Sequence, residues 1–470
     1  MTKKIKVQFL GNSSDDVTQS CYQIITENHT ILLDYGLYQN QNPVENYKGN
    51  HRRIKEIKPR NIDAICISHA NIDHCGALPA LYKNGCEADI YVPKGNKELI
   101  HLMLKDSAKI MAADALVLRK YHDIKAVPLY DEEDIMVCME HMHEVPVGEE
   151  HRILDTVILR YYEANHIINA GQIRLNFEDY GKRILYTGDI GGIHQLKDYT
   201  KPFEYPTEYI DLVIGESTYA GDKRKSTDKD RTKDIEKIRH IVHETCIENK
   251  GKVLFPVFSM DRLQNIMTVL WETFGADSEF NLPIIIDTPL GIKVTKLYSQ
   301  ILDCGKEKWN QVISWDKFQF SENWEDSLIW QDDNKPMVIL ASSGMCTNGR
   351  SVAWLKKLLP NAKNHICFCG YAAEGSLGYK IKEGKSPVLQ IEGKKVRNRA
   401  AITSLFSFSS HACRDDLMEY YSTLRYGKLC LVHGEKESKK EFSMELKQRL
   451  LEDLNTADVV CAFNGYVASV

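Results

Sequence analysis

The sequence predicts an α/β protein of two domains, the second inserted into the first, and three observations carry that reading. At 470 residues the chain exceeds what one small core organises. Its first and last parts, 1–207 and 388–470, are dominated by alternating strands, whereas 208–387 alternates helix with strand, the pattern of βαβ units and a mostly parallel sheet. Polar residues able to bind metal recur at strand ends on both sides of that insert, so the two outer parts read as one domain.

Composition sets the outer limits. A hydrophobic share of 43%, a charged share of 27% and a mean hydropathy of −0.36 describe an ordinary globular protein. No apolar run is long enough to span a bilayer, and Met1 to Val7 leads straight into a strand without a signal-peptide pattern, so a cytoplasmic protein with no membrane partner is expected. The 13 cysteines are odd in number and irregularly spaced, which fits a reducing compartment and argues against a disulfide framework. Cys367 and Cys369 alternate on one strand with no second pair at zinc-ribbon spacing; Cys75, beside His74, is the cysteine nearest to chemistry. A net charge of −5 gives no global attraction to a polyanion, so a nucleic acid would have to be held by a local groove or by metals.

Ile5–Leu10, Cys21–Glu27 and Thr30–Leu33 read as strands, the first two joined by the turn-rich 11–16 and the third ending in Asp34-Tyr35-Gly36. Ile62–Ser68 is a buried strand, 77–84 a short helix, Asp89–Val92 a strand and Asn96–Tyr121 a helix. From Val157 to Ile190 the pattern is antiparallel strand, with His166 and Asp189 at strand ends. Asp211–Gly215 runs into Glu216, and 198–209, with Pro202 and Pro206, reads as the crossing into the insert. Within it, helices at 228–249, 261–274, 291–302 and 351–359 alternate with strands at 252–258, 283–287, 337–341 and 365–369. The stretch 303–335 has a poor signal, its tryptophans reading as local packing. Antiparallel strand character returns at 388–408, followed by a helix at 414–424, the strand 429–432 and a last helix at 439–454.

The most informative stretch is Ser68-His69-Ala70-Asn71-Ile72-Asp73-His74-Cys75-Gly76, which places three metal-type side chains within six residues at the end of a buried strand. Added to Asp34, His166, Asp189, Glu216, His411 and His433, all at strand ends, it can supply the six to eight nitrogen and oxygen ligands that a pair of divalent ions requires. Two such ions about 3.5 to 4 Å apart acidify a water and clamp the oxygens of a phosphate ester. Imidazole and carboxylate without thiolate suit Zn²⁺, with Mn²⁺ or Fe as lesser choices.

These residues also resemble a family. Val17-Thr18-Gln19-Ser20-Cys21-Tyr22, Leu32-Leu33-Asp34-Tyr35-Gly36, Asp73-His74-Cys75-Gly76-Ala77-Leu78-Pro79, His166, Thr187-Gly188-Asp189, Glu216-Ser217-Thr218-Tyr219, Phe408-Ser409-Ser410-His411 and Leu431-Val432-His433-Gly434-Glu435 match, in order, the motifs of metallo-β-lactamase-fold nucleases of the β-CASP group. That group contains the mRNA 3′-end processing endonuclease and bacterial and archaeal ribonucleases. Ser342-Ser343-Gly344-Met345 and the glycine-rich 370–378 match its inserted domain.

The resemblance implies an αββα sandwich interrupted by a β-CASP α/β domain, with the active site in the cleft between them. It implies that His69, His166 and Asp189 hold one zinc and Asp73, His74, Asp189 and His433 the other, with Asp189 bridging and Asp34 orienting a ligand. Glu216 would hydrogen-bond His411, the general acid, and Ser343, Gly344, Gly375 and Ser376, with Arg350, would meet substrate phosphates. Asn71 departs from the pattern: the family has a histidine there, and an amide oxygen is a harder, weaker ligand, so the first ion would be held loosely or replaced by Mn²⁺. His433 matches the members that act on RNA. The expected function is therefore metal-dependent hydrolysis of single-stranded RNA, internally or from the 5′ end, by a homodimer or with a processing-complex partner. The rivals are a degenerate scaffold that binds RNA or a partner without cutting, and a hydrolase of small esters or thioesters, against which the long insert argues.

Overall fold

The computed structural model describes the chain except residues 1–3, 15–16, 41, 196, 222–226, 371, 373–374, 385 and 455 and the side chains of 227–230. Alternation along the strands builds two facing sheets. Val7, Phe9, Tyr22, Ile24, Ile31 and Leu33 turn inward from one sheet and meet Val157, Leu159, Tyr161, Ile173, Leu175, Phe177, Ile184 and Leu212 from the other in a single core. The first sheet runs Val467–Ser469, Lys6–Phe9, Tyr22–Ile25, Thr30–Leu33, Ala64–Cys66, Asp89–Pro93, Met142–Val145. The second runs Asp458–Cys461, Tyr426–Val432, Ile210–Glu216, Lys182–Tyr186, Gly171–Phe177, Val157–Glu163, Glu150–Leu154. Each has seven strands and each mixes parallel with antiparallel pairs.

A third sheet, of six strands, is parallel throughout: Phe318–Phe320, Ile284–Asp287, Met337–Ala341, Lys252–Pro256, His365–Phe368, Ala401–Ser404. Its core includes Leu254, Ile285, Ile339, Trp354, Leu355 and Ile366. Buried at its centre, Asp287 accepts hydrogen bonds from Ser327 Oγ at 2.5 Å and Trp354 Nε1 at 2.8 Å.

Two compact units result, one of Met1–Lys225 with His411–Val470 and one of Ser226–Ser410. The sandwich interrupted by an α/β insert, read from the sequence, is the architecture found. The units divide at 225/226 and 410/411 rather than at the 207/208 and 387/388 read from the sequence. The reason is pairing. Ile210–Glu216 lies between Lys182–Tyr186 and Tyr426–Val432 in the second sheet, which keeps it and 198–209 in the first unit. In the other direction, Ala401–Ser404 extends the parallel sheet beside His365–Phe368, and only Val388–Ile391 with Lys394–Arg397 forms the antiparallel hairpin that the 388–408 pattern signals.

Two helices of the first unit escape the sequence reading, although Val44 and Tyr47 in one and Ile135, Cys138 and Met139 in the other lie at helical spacing. Pro43–Glu56 begins on an Asn42 cap that accepts from Val44 N at 2.9 Å, with Pro43 in the first turn, and Glu132–Glu140 begins on a capping box of Asp131 and Asp134. The poorly patterned 303–335 holds two helices, Lys306–Ile313 and Trp324–Asp332, around the strand Phe318–Phe320. Trp309 is fully buried and donates from Nε1 to Thr295 O at 3.2 Å, a packing role. All 13 cysteines are free thiols, and burial holds the Cys75 thiol well above its ordinary range, so it is inert. No helix among the described residues is long and apolar enough to cross a membrane.

Between the facing sheets, Tyr161 O–H lies 2.8 Å from Tyr91 O and 3.1 Å from Ile67 O, at the end of the strand that leads to His69. Replacing Tyr161 with Phe leaves these buried carbonyls without that donor. The expected cost is about 1 to 3 kcal/mol, read as a lower urea midpoint for unfolding of the first unit.

Candidate metal centre

The site begins with a carboxylate. Asp34 ends the strand Thr30–Leu33 in the left-handed region, φ 53°, which turns its side chain toward the neighbouring strand end. Ser68 lies there, and donates to Asp34 from both its N–H (Oδ1, 2.7 Å) and its hydroxyl (Oδ2, 2.7 Å). Tyr186 O–H donates to Oδ2 at 2.7 Å, and His74 Nδ1 lies 2.7 Å from the same oxygen. The short helix Ile72–Cys75 carries Asp73 and His74 and packs so close to the chain after Asp34 that a Cβ on Gly36 would fall 1.6 Å from Asp73 O. Only glycine fits that crossing.

Strands of the second sheet bring the remaining groups. His166 follows Val157–Glu163, Asp189 follows Lys182–Tyr186, and His433 follows Tyr426–Val432 with φ 51°. Asp189 is central: its Oδ2 lies 3.4 Å from His74 Nε2 and 3.7 Å from both His69 Nε2 and His166 Nε2, and its Oδ1 is 3.5 Å from His433 Nδ1. Asp73 Oδ2 is 3.6 Å from His74 Nε2 and 3.5 Å from His433 Nε2.

The hydrogen bonds fix which ring nitrogens face inward. His74 Nδ1–H donates to Asp34, which leaves Nε2 a lone pair toward Asp73 and Asp189. Ser68 Oγ, whose hydrogen goes to Asp34, accepts from His69 Nδ1–H at 2.9 Å and does the same for His69 Nε2. Thr218 Oγ1 donates to His433 O at 3.2 Å and accepts from His433 Nδ1–H at 2.8 Å, which turns that Nε2 to Asp73. Among the described residues His69 Nε2 and Asp189 Oδ1 are buried without a hydrogen-bond partner. Unpaired buried donors of this kind, in two triads of His69, His166, Asp189 and Asp73, His74, His433, fit divalent cations.

Electrostatics agree with that fit. Burial, with His74 beside it, pushes His69 down to about 4, and burial with His411 nearby holds His166 well below the ordinary imidazole range. Both rings are therefore neutral at pH 7, the form that can bind a cation. Against burial, Asp189 and Asp73 raise His74 and His433; also against burial, His433 and His74 hold Asp189 well below the carboxylate range and lower Asp73.

Beside the triads, Glu216 is buried and accepts from Ile190 N at 2.6 Å and Thr218 N at 3.2 Å, and its Oε2 lies 3.3 Å from His411 Nδ1. His411 is partly exposed, its ring centroid 4.5 Å from that of His166. Asn71 is the N-cap residue of the Ile72–Cys75 helix; its carbonyl accepts from His74 N and Cys75 N, and its side chain makes no capping bond.

The residues read as phosphate contacts all lie in the second unit, already engaged within it. Ser376 caps the helix Leu377–Lys382 through Tyr379 N at 3.1 Å, after Gly375 at φ 83°. Ser343 Oγ accepts from Thr347 N at 3.2 Å within its own loop, and Gly344 packs on Phe258. Arg350 lies over Trp324 at 4.5 Å, with its Nε 3.7 Å from Asp287. Of the 370–378 motif, Tyr371, Ala373 and Glu374 lie outside the described residues, as do Asp15 and Asp16 of the first loop. Sequence reasoning gave Ser68, Tyr186 and Thr218 no role of their own, although Ser68 and Thr218 lie within motif stretches and Tyr186 directly precedes one.

Because Asp34 is the common acceptor, Asp34→Ala should weaken zinc binding by about 10- to 100-fold, measured by competition with a chromophoric chelator. Asp34→Asn, which keeps the shape, should recover only part of the loss.

Comparison with known proteins supplies the family. Residues 14–238 match the metallo-beta-lactamase superfamily, 263–381 the Beta-Casp domain and 395–457 the Zn-dependent metallo-hydrolase RNA specificity domain. The transcription termination factor FttA of Methanococcus maripaludis is 30% identical over 447 residues, 92% of this chain and 67% of that one. Ribonuclease TTHA0252 of Thermus thermophilus is 29% identical, over 90% of this chain and 91% of its own, and Integrator complex subunit 11 of Danio rerio is 28% identical over 99% and 74%. A crystal structure of a protein of unknown function from Enterococcus faecalis V583 superposes with a TM-score of 0.54 over 99% of this chain and 100% of its own, at 11% identity, a likeness of fold alone. With three segments matched in order and a relative aligned over most of both chains, the protein belongs to the metallo-β-lactamase superfamily and, within it, to the β-CASP family of zinc-dependent metallo-hydrolases.

Proposed function

We propose that the protein hydrolyses phosphodiester bonds of single-stranded RNA, with His69, His166 and Asp189 holding one divalent ion and Asp73, His74, Asp189 and His433 a second. The observation that carries this is the convergence of His69 Nε2 and His74 Nε2 on Asp189, with their Nδ1 atoms tied back by Ser68 and Asp34, while Thr218 holds His433 Nδ1 and leaves its Nε2 facing Asp73. Two zinc ions, when bound, supply Lewis-acid polarisation of the phosphate and an acidified water. The match to an RNA specificity domain and the relationship to a ribonuclease support RNA as the substrate.

The chain's own groups handle the proton at the other end of the reaction. Glu216, held by Ile190 N and Thr218 N, takes His411 Nδ1–H and so turns His411 Nε2–H outward, where it donates to the leaving oxygen.

Asn71 supports a second reading. If its amide weakens the first ion too far, the chain binds RNA or a protein partner without cutting, which the kinship to a subunit of the Integrator complex favours. Short 5′-labelled RNA and matching DNA, incubated with Zn²⁺ or Mn²⁺, separate the two. The nuclease reading expects RNA products whose lengths tell internal from end-directed cutting; no product with either metal leaves the scaffold. Asp73→Ala should abolish cutting, and His411→Ala should lower kcat about 10²- to 10⁴-fold with little change in KM. Asn71→His should tighten the weaker zinc and shift the preferred ion from Mn²⁺ toward Zn²⁺, read as metal content after dialysis.

A further inference from the structure

The helix Lys97–Tyr121 of the first unit has two apolar faces, and the fold packs against one of them. Ile100, Leu104, Ala108, Ala115 and Leu118 recur at helical spacing and are buried. On a second face, about 100° further round, Met103, Ile110 and Val117 follow one another at intervals of seven residues, with Tyr121 one turn beyond. This stripe runs about 27 Å along the helix. Met103 is partly buried, but Ile110, Val117 and Tyr121 are 46%, 43% and 68% exposed. That exposure contributes little to folding, since apolar area stabilises only when it leaves water.

Positive charge accompanies the stripe. Lys109 and Lys120 flank it on the side away from the core, and Arg119 and Lys125 follow at its C-terminal end, where a cavity of about 340 Å³ includes Arg119, Lys125 and Val127 in its lining. All four cations are exposed, and among the described residues none has an ion pair: Arg119 Nε donates to Ala115 O at 3.2 Å, and Lys120 Nζ lies 5.0 Å from the centroid of the Tyr121 ring. Asp114 and Asp123 are the only carboxylates within 109–125, so the face is basic in a chain whose net charge is −5. Heptad-spaced apolar side chains form the seam on which a second helix packs, and the charges beside such a seam select its partner. A single strand of nucleic acid needs rings to stack on, and this stripe holds one ring among aliphatic side chains.

We propose that this face docks an acidic amphipathic helix of another protein, whose apolar residues cover Met103, Ile110, Val117 and Tyr121 and whose carboxylates meet Lys109 and Lys120. It uses none of the residues of the candidate metal centre, so it holds whether or not the chain cuts RNA. One helix against another buries a small area, which places the contact in the weak, transient class. The exposed lysines make its association fall with salt.

The test is fluorescence anisotropy on the full chain in EDTA with a fluorescein-labelled synthetic peptide of about three heptads, leucine at a and d and glutamate at e and g, whose own charges keep it from self-pairing. Two control peptides carry lysine in place of glutamate or serine in place of leucine. The glutamate-leucine peptide should bind in the micromolar range and each control about tenfold or more weakly. Ile110→Gln combined with Val117→Gln, a good helix former at two exposed positions, should weaken binding roughly 10- to 100-fold at an unchanged thermal midpoint. Lys109→Glu combined with Lys120→Glu should weaken it and remove most of its salt dependence. The proposal is overturned if the unmodified chain does not bind the peptide, if either control binds as tightly, or if the glutamine pair binds within about twofold of the unmodified chain. It is overturned in favour of another occupant if oligouridylate displaces the peptide, or if the unmodified chain sediments as a dimer that the glutamine pair dissolves.

Discussion

One buried carboxylate organises the first unit. Asp34 accepts from the backbone and hydroxyl of Ser68, the phenol of Tyr186 and the ring of His74, so two strand ends, one short helix and the facing sheet share an anchor. A fully buried carboxylate is costly unless every lone pair is used, and here four donors use them. The same bonds dictate that the Nε2 atoms of His69 and His74 point away from Asp34 and toward Asp189. The bonds that close the sandwich at this end therefore also set the tautomers at the candidate metal centre.

Beyond that anchor lie buried polar atoms that the chain itself does not pair. Asp189 Oδ1 and His69 Nε2 are buried with no hydrogen-bond partner among the described residues, and burial forces His69 down to about 4. Groups held at such a cost mark places where a ligand, rather than the chain, completes the interaction. Against burial, His74 and His433 are shifted the opposite way by Asp189 and Asp73 beside them.

Much of this was legible in the sequence because metal-binding residues fall at strand ends, where the period-2 pattern breaks against a polar cluster. His69, Asp73, His74, His166, Asp189 and His433 all stand out that way, and the structure gathers the four ring systems within 3.4 to 3.7 Å of the Asp73 or Asp189 carboxylate. The helix at Trp324–Asp332 was not legible, since it carries no apolar stripe to announce it, and at Pro43–Glu56 the stripe is only Val44, Tyr47 and Ile54 in a run of polar and charged residues. Nor could alternation place Ala401–Ser404: it shows that a segment is extended, not which sheet it joins. Ser68 and Thr218 were missed for a related reason. Hydroxyls that fix a tautomer look in sequence like any serine or threonine in a turn.

Asn71 can be weighed against this background. Its neighbours are all retained: the helix it caps carries Asp73 and His74 in place, Gly36 still permits the close crossing beneath Asp73, and the Glu216–His411 pair is intact. Had the site decayed from disuse, the buried groups with no packing value, His166 and Asp189 among them, would be the first to be replaced by apolar residues, which stabilise a core better than unpaired polar atoms. They have not been replaced. On the proposed assignment, in which His69, His166 and Asp189 hold the first ion, a single amide at residue 71 would adjust that ion's affinity and hardness and leave the triad of Asp73, His74 and His433 as it stands.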